Sequence, residues 1–198
     1  MLRHRRGWNV DPKACSFEAF SSGAPMRIVA VLLAVVVALG LIVVLVGYLL
    51  PVKHVAAVTA RVPASPEQVW QAMTDVAAYP KWRGDVTTVE MLPADSGCVA
   101  WRETGKNGAI SYTIAEAEAP RRLVTRITDK SLPFGGTWEY TVTPDGTGSL
   151  VRITEHGEVY SPVFRLVSRF IMGHTATASA YLKALGARFG AKVELEVG

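Results

Sequence analysis

The chain has 198 residues, with 21 Lys plus Arg against 17 Asp plus Glu, four His and two Cys. Its net charge of +4 divides unevenly: residues 1–27 carry five basic and two acidic side chains, and residues 53–198 carry 16 and 15. That near-neutral second part, with no basic run interleaved with aromatics, excludes a nucleic-acid-binding surface, and the four scattered His show no metal-ligand spacing.

Residues 1–27 lack periodicity and are read as a disordered leader. Ile28 to Leu50 contains no charged residue and is almost wholly Leu, Ile, Val and Ala. As a helix it spans about 35 Å, enough for a hydrocarbon core of about 30 Å. Its 17 Leu, Ile and Val residues favour insertion by about 5–10 kcal/mol. A buried helix of a soluble core has no need to be apolar on every face, and the run is about twice the length of a signal-peptide core. A single transmembrane anchor at 28–50 is the expectation, with Tyr48 at the interface and Pro51 ending the helix. Arg3, Arg5, Arg6, Lys13 and Arg27 precede it, so the positive-inside rule places the N-terminus in the cytoplasm and the following domain on the non-cytoplasmic side. Met26 stands where an alternative start would, and translation from there removes four of those five charges. Cys15 and Cys98 lie on opposite sides of the span and cannot pair; Cys98 is expected to be a small buried apolar residue.

Strand signals begin at once. His54 to Val62 alternates, with Ala56, Val58, Ala60 and Val62 on one face. Ser65-Pro66-Glu67-Gln68 is a capping box with Pro at the first helical position, opening a short helix striped by Val69, Trp70, Met73 and Val76 that breaks near Tyr79-Pro80. Trp70 and Trp82 are assigned to packing. Six further strands are expected at Val86–Leu92, Cys98–Thr104, Ile110–Ala117, Leu123–Asp129, Thr137–Thr143 and Ser149–Gly157. Turn chemistry separates them at 93–97, 105–108, 119–121, 133–136 and 144–148, as in an antiparallel meander. From Pro162 to Arg188, Phe164, Val167, Ile171, His174, Ala178, Leu182, Leu185 and Phe189 recur at three or four, which predicts one long amphipathic helix started by Ser161-Pro162. Residues 190–198 are read as a tail.

Such an order defines an α+β domain of about seven antiparallel strands curved around a long C-terminal helix, preceded by one transmembrane helix. A strongly curved sheet leaves a cavity between itself and that helix. On strand parity Trp101, Glu103, Tyr112, Trp138 and Tyr140 are candidate lining residues, with Phe170, Ile171 and His174 facing them from the helix. His174 could bind a polar ligand group or act as a base; the alternative is a core or rim histidine bonded to a strand residue. Glu155 shares parity with Val151 and Ile153, so it needs a partner or a raised pKa; His174, Arg102 and Arg126 are candidates. The alternative is a strand-end position open to solvent. There is no G-x-S-x-G elbow, no P-loop and no Cys/His pair, and Gly146-Thr147-Gly148 is a hairpin turn with no helix after it.

Val62-Pro63-Ala64-Ser65-Pro66-Glu67-Gln68-Val69-Trp70, then Asp75 and Tyr79-Pro80-Lys81-Trp82, resembles the opening of the START/Bet v 1-like (SRPBCC) superfamily, which includes polyketide cyclases/dehydratases, lipid-transfer domains and coenzyme-Q-binding proteins. Gly136–Tyr140 and Thr147–Glu155 are similar to its later strands. The resemblance covers residues 54–189 and implies a helix-grip fold with a hydrophobic ligand cavity. The leading expectation is a membrane-anchored module holding a hydrophobic small molecule, lipid or isoprenoid-like, without cofactor or metal. The alternatives are a cyclase/dehydratase-type enzyme using His174 and Glu155, and an interaction module whose cavity is filled by its own side chains.

Overall fold

A computed structural model describes residues 23–93, 98–106 and 108–198. The leader through residue 22, with Cys15, and the turns at 94–97 and 107 lie outside the described residues. By contact the chain divides after Leu41 into two units.

Helix α1 runs Gly23–Leu49, and its Met26–Leu49 stretch is long and apolar enough to cross a membrane. In the second unit, strand β1 (Lys53–Val62) leads to α2 (Pro66–Thr74). The capping box forms as expected: Gln68 N donates to Ser65 Oγ and Ser65 N donates to Gln68 Oε1. A 3-10 turn at Val76–Lys81 follows, holding Tyr79-Pro80. Six strands then run as a meander: β2 (Val86–Leu92), β3 (Ala100–Gly105), β4 (Gly108–Glu118), β5 (Arg122–Ile127), β6 (Phe134–Asp145) and β7 (Gly148–Val159). Cys98 precedes β3 and is exposed, not the buried residue expected, because the strand starts two residues after it.

The C-terminal helical region is not continuous. Helix α3 (Pro162–Val167) passes into a π turn (Ser168–Met172), Gly173 takes a positive φ of 73°, and α4 (Ala176–Arg188) begins after Thr175. Glycine tolerates that left-handed geometry, which stops one helix and starts another. The tail adds a short strand, β8 (Leu195–Val197). All eight strands form one antiparallel sheet in the order β2-β3-β4-β5-β6-β7-β1-β8. Register shifts in β2 and β4 act as bulges that bend it.

Alternation sends Val58, Ala60 and Val62 of β1, Val151 and Ile153 of β7, and Tyr140 and Val142 of β6 to one face. Ala178, Tyr181, Leu182 and Leu185 of α4 and Val69 and Met73 of α2 cover that face, closing a core of buried side chains. Trp70 and Trp82 pack against its edge.

Candidate functional site

Two carboxylates, one buried and one half-buried, share the inner face of the sheet. Glu103 on β3 lies among the core aromatics. Arg83 Nη1 donates to its Oε1 (3.1 Å) and stands 3.0 Å from its Oε2, while Trp101 Nε1 donates to Oε1 (3.0 Å). Arg83 also donates to Asp85 through Nη2 (2.6 Å), and its guanidinium lies over the rings of Tyr79 and Tyr181 at 4.9 and 5.1 Å. Burial raises the Glu103 pKa; Arg83 and the Trp101 N–H oppose the rise. Trp101, at 2% exposure, stacks on Tyr112, and Tyr140 is buried against Tyr181. Trp101, Glu103 and Tyr140 are therefore occupied by protein partners and present no free surface to a ligand in this arrangement.

Glu155 on β7 is different. It opposes Ala56 of β1 and Trp138 of β6 in register. Its hydrogen-bond partner is His54 at the start of β1, with Nε2 3.4 Å from Oε1. His54 lies opposite Gly157 in the β1–β7 ladder, so it is a diagonal neighbour of Glu155. A Cβ at Gly157 would overlap the His54 imidazole, so the glycine supplies the space in which that ring turns toward Glu155. His174 comes directly after the Gly173 break and stacks on His54, with ring centroids 3.7 Å apart and planes 26° from parallel. Glu155 and His174 thus sit on one side of the sheet, joined through His54.

Burial raises the Glu155 carboxyl to about 7, with the Trp138 indole pulling the other way. His54 is held below the usual histidine value by burial and then by the Arg169 charge. His174 is lowered by burial, by its His54 neighbour and by Arg169. The His54–Glu155 contact is long for a hydrogen bond, and burial is the largest influence on both groups. A carboxyl raised to about 7 is close to half ionised at neutral pH, and the imidazole beside it is held toward its neutral form, so the pair can pass a proton between oxygen and nitrogen. Among the described residues no Lys or Arg lies within ion-pair distance of Glu155.

His54 and His174 also border a recess of about 20 Å³, together with Leu50, Pro51, Val159, Arg165, Ser168 and Arg169. Half-buried Tyr112, Ile114 and Trp138 continue the inner face away from the cluster. Phe170 and Ile171 do not line this space. They are 67% and 74% exposed, because the π turn and the break at Gly173 rotate them out of the face that unbroken helical spacing assigns them. Of the expected partners for Glu155, Arg102 instead bonds Ser111. Sequence reasoning misses His54, although its parity with Ala56 and Val58 places it inward. Among the described residues no group of His, Cys, Asp and Glu could hold a metal ion.

A sheet wrapped on a C-terminal helical arm, with an inward polar cluster at one end, defines the helix-grip class. Residues 53–194 match the family model described as polyketide cyclase/dehydrase and lipid transport, and the chain belongs to that family. No curated protein matches the sequence. Among solved structures, the TTHA0849 protein of Thermus thermophilus is 17% identical with a TM-score of 0.58, covering 69% of this chain and 97% of that one. Truncated norcoclaurine synthase from Thalictrum flavum is 14% identical with a TM-score of 0.56, covering 69% and 93%. The di-domain ARO/CYC StfQ of the steffimycin biosynthetic pathway is 13% identical with a TM-score of 0.53, covering 70% of this chain and 51% of that one. At these identities the shared property is the fold.

Proposed function

We propose that this chain is a bilayer-anchored module that holds a hydrophobic small molecule, with the molecule's polar end at His54, Glu155 and His174. The observation that carries the reading is that cluster: three titratable side chains on the inner face, with a carboxyl that burial raises and, among the described residues, no cation paired with it. A buried polar group without a strong partner is costly, and a ligand hydroxyl or carbonyl would supply hydrogen bonds to it. Trp138, Tyr112 and Ile114 offer apolar surface alongside. Anchoring by residues 28–50 fits the same reading, because a molecule soluble in lipid would then be encountered where the domain sits. Cofactors and metals have no part in it.

The test is saturable binding of a fluorescent fatty-acid or quinone analogue to the full chain in detergent. One site per chain, weakened at least about tenfold by His174→Ala through loss of a polar contact of about 1.5 kcal/mol, is the expected result. Absence of saturable binding to the wild-type chain would overturn the reading.

A second reading, a cyclase- or dehydratase-type enzyme, draws on one feature. A carboxyl near 7 hydrogen-bonded to imidazole is matched to general acid–base work at neutral pH. It predicts that a bound molecule is chemically altered by the wild-type chain but not by Glu155→Gln. Recovery of the molecule unchanged would leave binding as the function.

A further inference from the structure

The junction between α1 and the helical arm is built around one side chain. Arg165 of α3 has no carboxylate within ion-pair distance among the described residues; backbone oxygens take its donors instead. Its Nη1 donates to the carbonyls of Gly47 and Leu50 (3.2 and 3.3 Å), Nε to Val159 (2.8 Å) and Nη2 to Tyr160 (3.0 Å). The last turn of α1 has no basic residue of its own, so this guanidinium supplies the cation that the carbonyl end of a helix favours. Gly47 packs so tightly on the Pro162 backbone that a Cβ there would overlap its carbonyl. The first turn of α3 is therefore held directly on the last turn of the apolar helix.

Beyond that first turn, the side chains of α3 and the π turn point two ways. Phe164 turns inward and stacks on Phe134 of β6. Val163, Phe170 and Ile171 are exposed, the last two carried outward by the π turn. Arg169 is exposed in the same turn. Ile171 lies nine residues beyond Pro162, so it is within about 14 Å of the end of α1 even if the arm runs straight. Tyr48 and Leu49 at that end are exposed apolar side chains too. Large apolar side chains beside the end of an apolar span, flanked by a cation, continue its lipid-facing surface.

We infer that the α3–π segment is a second membrane contact: Val163, Phe170 and Ile171 enter the headgroup–acyl boundary, with Arg169 among the lipid phosphates. The occupant is the bilayer itself. The inference rests on the reading of α1 as an anchor, but not on the nature of the ligand. It gives the break at Gly173 a consequence, since the segment in the bilayer ends at Met172, two residues before His174. The arm then lies between lipid and the His54–Glu155–His174 cluster.

The experiment uses the full chain with Cys15→Ser and Cys98→Ser, in vesicles of phosphatidylcholine with one-third phosphatidylglycerol. Single cysteines placed by Ile171→Cys, Phe170→Cys, Tyr48→Cys or Thr147→Cys carry an environment-sensitive fluorophore, and a lipid bearing a nitroxide high on its acyl chain is the quencher. Thr147, in the exposed β6–β7 hairpin at the opposite end of the β1–β7 ladder, reports water. The expected result is blue-shifted emission and roughly twofold or greater quenching at 170, 171 and 48, with neither at 147, because an interfacial helix buries its apolar face only about 5–10 Å deep. Quenching at 48 with water-like emission at 170 and 171 overturns the inference and leaves the anchor standing. Absence of quenching at 48 overturns both. A blue shift at 171 without quenching, in a chain that sediments as a dimer, identifies a second copy as the occupant and also overturns it.

Discussion

Glu103 and Glu155 are carboxylates on the same face of one sheet, the first buried and the second half-buried, yet the fold treats them in opposite ways. Around Glu103 the charge is paired: a guanidinium and an indole N–H donate to it, Tyr79 and Tyr181 pack on the guanidinium, and Tyr112 stacks on the indole. Around Glu155 it leaves options open, with a glycine where a side chain would intrude, two stacked imidazoles and a helix that breaks beside them. A buried charge that is fully paired belongs to structure, whereas one left without a cation, its pKa moved into the neutral range, marks where chemistry or a ligand is expected.

The contrast can be broken most forcefully at Arg83. Arg83→Met leaves Glu103 buried with one indole donor, and a loss of about 3–5 kcal/mol is expected in urea unfolding of the micelle-bound chain, monitored by Trp fluorescence. The smaller counterpart is Glu155→Gln, whose sign reverses. Its folded pKa of about 7 lies above the ordinary value of 4.5, so the protonated carboxyl's contribution is complete below pH 4.5 and is lost as pH rises through 7. At pH 8 the Gln variant should exceed the wild type by up to about 3 kcal/mol, and near pH 4.5 the two should coincide. A difference that is flat with pH would mean that Glu155 is not shifted. Gly157→Ala should cost about 1–3 kcal/mol by overpacking and, more tellingly, separate the imidazoles, seen as loss of the His54–His174 ring-current shifts by NMR. The smallest effect is expected at Lys53, whose 3.6 Å contact with Glu158 joins an almost fully exposed ammonium to a carboxylate that is about one-third exposed. Lys53→Ala should change stability by less than about 1 kcal/mol and leave ligand binding intact, showing that surface charge beside the cluster does not substitute for it.

Much of the fold is legible locally because its signals are local. Period-two alternation places β1 and β6, β2 coincides with its expected span, and the capping box at Ser65 forms with the hydrogen bonds its residue types imply. The helical arm reads as continuous because apolar residues keep helical spacing through Gly173, and spacing alone cannot register a positive φ. The short β8 is hidden because three residues carry too little pattern. The site is half legible. Parity identifies Glu155 as inward and spacing identifies His174, but the residue that joins them, His54, stands at a strand start where its role depends on Gly157, about a hundred residues away. Arg83 has no local signal, since its buried partner lies 20 residues on in another strand.

The most direct measurement is native mass spectrometry of the detergent-extracted wild-type chain beside Glu155→Gln and His174→Ala. The expected result is a small apolar molecule bound one per chain in the wild type, lost or strongly depleted in both variants while their folded charge-state distributions are unchanged. A wild-type chain that arrives bare, or variants that carry the same molecule at the same occupancy, would contradict the assignment of His54, Glu155 and His174 as the place where a ligand is held.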